Sequence, residues 1–287
     1  MELALPGRVD SQGWAYQDVD DLASPGVRVA PGYPTKSHKR AAAEIVGFFE
    51  ARDETDAVLL TNSCARGKAT PDSCLDMQVI VSPDTVRSAD ADFRRFAAGN
   101  EALAHLCRAG RFSELHLDVT EGILVPGSID EEGIDEFEVA VGNLFVYAVP
   151  LLVRGDRLNR LRGEWLPYYD NSLRRERLEA ARWFLLDNNL ARIPWLLERE
   201  LYFQAFDRFY RAFQGFLLAV HIAHRTYPIA YNKWIREQIV ENLNLPDLYE
   251  RLPRLFELDR FESRVLQSKA KELRRLVDAY VAPVGPS

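Results

Sequence analysis

The spacing of apolar residues changes character along this chain. Residues 1–36 hold many turn formers, as in LPGRVDSQG and ASPGVRVAPGYP, and read as a loosely structured arm. TKSHKRAAAEIVGFFEARDE then has helical period, with Ser37 as its cap and Ala43, Ile45, Val46 and Phe49 on one face. AVLLT at 57–61 is short and continuously apolar, the pattern of a buried strand, and LDMQVIVS is the next strand. DTVRSADADFRRFAAGNEALAHLCRAG reads as one or two helices broken near Gly99. FSELHLDVTEGILV alternates strictly, with Leu115, Leu117 and Val119 on one face and Glu114, His116 and Asp118 on the other. EFEVAVGNLFVYAVPLLV supplies at least one further apolar strand.

From about Asn171 onward every long segment has helical period and the breaks are short, at Pro or Asn. Strands mixed with helices, then helices alone, predict an α+β chain: a small mixed-sheet domain over 37–165 and an all-α bundle over 166–287.

Composition narrows the class. Hydrophobic residues at 47% and charged residues at 28% are those of an ordinary globular protein. The chain has no apolar run near the roughly 20 residues of a membrane span, so no membrane partner is expected. A net charge of -7 argues against broad nucleic-acid binding, while leaving room for a small anionic ligand met by local arginines. Three cysteines without metal-site spacing, and a start lacking a basic and an apolar region, lead to the expectation of a cytoplasmic protein.

The chemistry concentrates in NSCARGKATPDSCLDMQVIV, residues 62–81. Ser63 and Gly67 stand among small residues after a buried strand, where backbone N–H groups and a hydroxyl can approach an anion, and Arg66 adds a planar cation. The spacing is not that of a P-loop. The stretch resembles the signature of the polymerase-beta-like nucleotidyltransferases, written Gly-Ser, a short spacer, Gly, then Ser-Asp-hydrophobic-Asp. It is most like the small antibiotic- or protein-modifying members with a helical C-terminal domain. On this chain the signature falls on Ser63, Gly67, Ser73 and Asp76. Asn62 replaces the first Gly, and Asn is the residue best able to stand in for Gly at positive φ. Cys74 replaces the first Asp of the pair, and a soft thiol is a poor ligand for Mg²⁺.

The resemblance implies Mg²⁺, with Mn²⁺ as the softer substitute, held by Asp76, Asp118 and Cys74. It also implies an NTP in a cleft between the domains, its phosphates at Asn62, Ser63, Arg66, Gly67 and Ser73. Asp118, with Glu114 second and Glu138 third, stands as the family's third carboxylate, acting as base or ligand. The plain alternative is that this strand face meets solvent. Lys233, expected in a helix's first turn, and Arg225 are candidates to close over the nucleotide, against the reading of a surface lysine. The first hypothesis is a nucleotidyltransferase moving a nucleoside monophosphate from an NTP to a hydroxyl of a small molecule or protein. The second is a catalytically impaired relative that binds nucleotide or a partner in a regulatory role. His221 and His224 share a helix face, but a packing role outweighs a metal one. The aromatic series Trp195, Tyr202, Phe203, Phe206, Phe209, Tyr210, Phe213 and Phe216 is expected in the bundle core.

Overall fold

The computed structural model describes residues 31–166 and 168–281, so most of the expected arm lies outside the described residues. The chain is α+β, with one small mixed sheet and many helices. It divides into two compact units: 31–124 with Val141–Leu166, and Val125–Ala140 with 168–281. The stretch Val125–Ala140, expected in the first domain, thus belongs to the helical one.

In the first unit, helix α1 (Lys36–Glu50) is capped by Thr35 rather than by Ser37: the Thr35 hydroxyl accepts from the His38 N–H. The buried stripe runs through Ala41, Ala42, Ile45 and Phe49, leaving Ala43 exposed. Strand β1 (Thr55–Leu60) leads into a single helical turn, α2 (Asn62–Ala65). Strand β2 (Leu75–Val81) follows, then helices α3 (Val86–Gly99) and α4 (Glu101–Ala109), divided at Asn100, whose side chain accepts from Ala102 N and Leu103 N. Strand β3 (Leu115–Thr120) has the alternation read from the sequence, His116 and Asp118 being exposed. The sheet order is β3-β2-β1-β4, with β4 at Val149–Val153. β1 runs antiparallel to both β2 and β4, whereas β2 and β3 are parallel. Val58, Leu60, Leu75, Met77, Val79 and Val81 join Ile45, Phe49 and Phe93 in one core. Asp76 and Gln78 alternate with these residues and so point to the sheet's other face. Helix α6 (Arg157–Trp165) closes the unit.

The strand expected within EFEVAVGNLFVYAVPLLV is present as β4, and the first half of that stretch is helical. Here α5 (Phe137–Val141) runs on into a wider turn over Gly142–Val146, and only β4 is extended. Glu138 therefore cannot be a strand carboxylate beside Asp76. It is wholly buried and clamped by Arg177, whose Nε and Nη2 donate to its two oxygens at 2.8 and 2.6 Å. Arg177 also holds Asp135 and the Gly127 carbonyl, and the Tyr169 hydroxyl donates to Glu138 at 3.2 Å. A buried carboxylate is tolerable because its charge and lone pairs are met at once.

The second unit is built on α7 (Asn171–Trp183), α8 (Ile193–Glu198), α9 (Tyr202–Ala223), α10 (Pro246–Arg251) and α11 (Val265–Tyr280). Phe209, Phe213 and Phe216 lie in its core, with Tyr202, Phe206 and Tyr210 packed against it. Trp195 and Phe203 are exceptions to the expected core series, at 53% and 78% exposed. Among the described residues no helix is long and apolar enough to cross a membrane.

Candidate functional site

The turn between β1 and β2 is built around two left-handed residues. Asn62 has φ 53° and Gly67 φ 66°, so Asn62 does take the conformation in which it replaces Gly. Between them the chain makes one helical turn, held by Ala65 N–H to Thr61 O and Lys68 N–H to Ser63 O. A left-handed residue followed by right-handed ones aims consecutive N–H groups into one concavity, a shape that receives anions. The turn also packs closely on Gly32, where an added Cβ would lie 2.9 Å from the Gly67 Cα. Ser63 is half-buried at this turn, whereas Arg66 is buried, with 7% exposure. Arg66 is thus part of the packed turn rather than a fork presented at the surface.

Two contacts set this turn against β2. Thr61 N–H donates to Asp76 O at 3.0 Å, and the buried Cys64 thiol lies 3.7 Å from Cys74 O. Burial, with Asp76 and Cys74 nearby, pushes the Cys64 thiol up to about 12, so it is an inert packing group. Ser73 is occupied by its own loop: its hydroxyl accepts from Thr70 N–H at 2.9 Å, and its carbonyl accepts from His38 Nε2 at 2.9 Å.

On the polar sheet face Asp76 is in register with His116, and Gln78 with Asp118. His116 Nδ1 lies 3.1 Å from Asp76 Oδ1, and its Nε2 lies 3.3 Å from Glu114 Oε2. Both ring nitrogens face carboxylate acceptors, an arrangement that suits the doubly protonated ring. Partial burial opposes that charge, but the bonds to Asp76 and Glu114 outweigh it and raise the His116 pKa. Asp118 is exposed one pair further along. His116 therefore links Glu114 to Asp76, with Asp118 on the same face, and the imidazole is the member that alternation alone left without a role.

Cys74 ends the loop before β2, its Sγ 3.4 Å from the Phe112 carbonyl. Mg²⁺ asks for several hard oxygens in near-octahedral array. The β2 edge offers one carboxylate, already bonded to an imidazole, and one soft sulfur. Among the described residues no group of three or more His, Cys, Asp or Glu is placed to hold a metal ion. The donor set does not fit Mg²⁺.

No protein-family model matches the chain, and no curated protein matches it.

Lys233 is not in a helical first turn. It lies in the bends ahead of that helix, its carbonyl accepting from Gln238 Nε2 at 2.9 Å. Its charge acts on Glu136, opposing the rise that burial and Asp135 impose on that carboxyl. Arg225 bonds Asn171 Oδ1 at 2.6 Å. His221 is buried, its Nδ1 2.9 Å from the Thr226 hydroxyl. Burial, then the nearby His224, lowers its pKa to about 3. It is a neutral packed histidine.

Proposed function

We propose that this chain binds a nucleoside triphosphate by its phosphates at the Asn62–Gly67 turn, as an impaired relative of the nucleotidyltransferases serving a regulatory role. One observation carries the reading. A left-handed Asn62 opens an N–H concavity whose preceding residue, Thr61, is hydrogen-bonded to Asp76. A phosphate-sized anion in that concavity meets backbone donors and the Ser63 hydroxyl, and needs no side-chain cation or metal to be oriented. Asp76 repels a bare anion, and the His116 ring beside it offsets that charge.

Transfer of a nucleoside monophosphate to a hydroxyl is the second reading, favoured by Asp118 standing exposed on the same face as a proton acceptor. It ranks below binding because Cys74 and the His116-bonded Asp76 do not make the paired carboxylates that such transfer uses.

Calorimetry with each NTP, in EDTA and in Mg²⁺, tests the reading. Binding in EDTA that falls at least tenfold in Gly67→Val supports it. Absence of affinity under both conditions removes it. Labelled NTP with cell extract, followed by mass spectrometry, tests transfer separately.

A further inference from the structure

The helical unit contains a pocket of about 270 Å³ that neither the sequence motif nor the proposed nucleotide site uses. Its walls come from separate stretches: Tyr210 and Phe213 of α9, Tyr249 of α10, and Phe256 in the turn that follows. Phe213 and Phe256 meet at 5.0 Å with their planes 89° apart, and Tyr210 and Phe256 at 6.2 Å and 66°. The pocket thus offers ring faces and ring edges together, the two surfaces a flat aromatic guest pairs with. Ile235 and other aliphatic carbon close it, and no lining residue is charged. A charged guest would lose hydration without gaining a counter-charge from the lining.

The polar groups of the lining residues are the hydroxyls of Tyr210 and Tyr249 and the Asn232 amide, which can both donate and accept. Its loop is held from beneath. The buried Gln238 side chain accepts from Ile229 N–H at 2.7 Å and donates to the carbonyls of Ala230 and Lys233 at 2.8 and 2.9 Å. The backbone on either side of Asn232 is thus held before any ligand arrives, which lowers the ordering cost of binding. The volume lies just under the roughly 300–1,000 Å³ of drug-sized ligand sites and limits the occupant to one or two fused rings.

We infer that this pocket is a binding site for a small, uncharged aromatic molecule with one hydrogen-bonding edge, oriented by Asn232. The probe is indole, added to the full chain and followed by saturation-transfer NMR and by the Ile235 methyl resonance. Saturable binding that shifts this methyl is expected, with benzoate binding at least tenfold more weakly. Asn232→Leu should weaken indole about fivefold, the effect of one neutral hydrogen bond, while leaving 1-methylindole unchanged. Ile235→Trp fills the pocket and should abolish binding of both. The inference is overturned if indole does not saturate, if the Ile235 methyl stays fixed, or if benzoate binds equally well. Because NTP calorimetry reads the other unit, the two proposals fail independently.

Discussion

Asp76 on β2 and His116 on β3 are register partners on parallel strands, joined carboxylate to imidazole at 3.1 Å. A carboxylate in this position would serve a metal in the nucleotidyltransferases that the motif resembles. Here it serves a ring. Asp76→Asn removes the charge but keeps the shape, so the His116 pKa should fall toward its ordinary value of 6.5 in an NMR titration. An unmoved midpoint would mean that the pair does not form in solution. The pKa is raised by folding, so the pair's stabilising effect is present below pH 6.5 and is lost as pH climbs through the folded value. With the ring 54% exposed, that effect is small.

Cys74→Asp separates the two functional readings. A second hard-oxygen ligand beside Asp76 should raise Mg²⁺ affinity in calorimetry, and Asp76→Ala in the same background should erase the gain. If NTP turnover appears with the metal, the wild-type chain is an impaired transferase. A fall in a native activity would instead mark an enzyme adapted to the thiol. Unchanged metal affinity would show that residue 74 does not face the site.

Asn62→Val should destabilise the first unit by about 1–2 kcal/mol, because a β-branched residue resists a left-handed backbone. Asn62→Gly should be close to neutral. Chemical denaturation checks both, and equal effects of the two substitutions would contradict the φ of 53°.

Arg177→Ala leaves Glu138 buried and uncompensated, with a loss of about 3–5 kcal/mol expected on denaturant unfolding. Replacing Arg177 and Glu138 together by Met and Leu should recover part of that loss. A double variant no better than Arg177→Ala alone would show that the charge pairing is not the source.

His221 gives the helical unit an acid limit. Its folded pKa, about 3, lies below its ordinary 6.5, so the unfolded chain takes up the proton first. Stability is unaffected above pH 6.5 and is lost as pH falls toward 3, by up to about 1.4 kcal/mol per pH unit. His221→Asn keeps a donor near Thr226 and should flatten this slope, as measured by thermal unfolding at a series of pH values.

Local chemistry made some of this legible in the sequence. Asn62 standing where a signature has Gly pointed to its backbone conformation, and strict alternation over residues 114–119 placed Asp118 and His116 on one face. What remained hidden depends on partners far along the chain. FEVAV has the β-branched texture of a strand, yet it is helical, and its Glu138 is bonded by Arg177, 39 residues later. Helical spacing puts Phe203 in line with Phe206 and Phe209, but does not say where the core ends. The burial of Arg66 in the turn depends on tertiary packing, which local spacing does not carry.

The Glu138–Arg177 bond also bears on the order in which this protein is made. Glu138 leaves the ribosome before its counter-charge has been synthesised, and the residues between them include β4 and α6 of the other unit. All residues of the first unit are therefore synthesised while Val125–Ala140 is still waiting for α7. A fragment that stops at residue 165 carries Glu138 without Arg177. It should expose Phe137 and Val139 to solvent, so cutting the gene between the two apparent domains would yield a sticky product rather than an independent module.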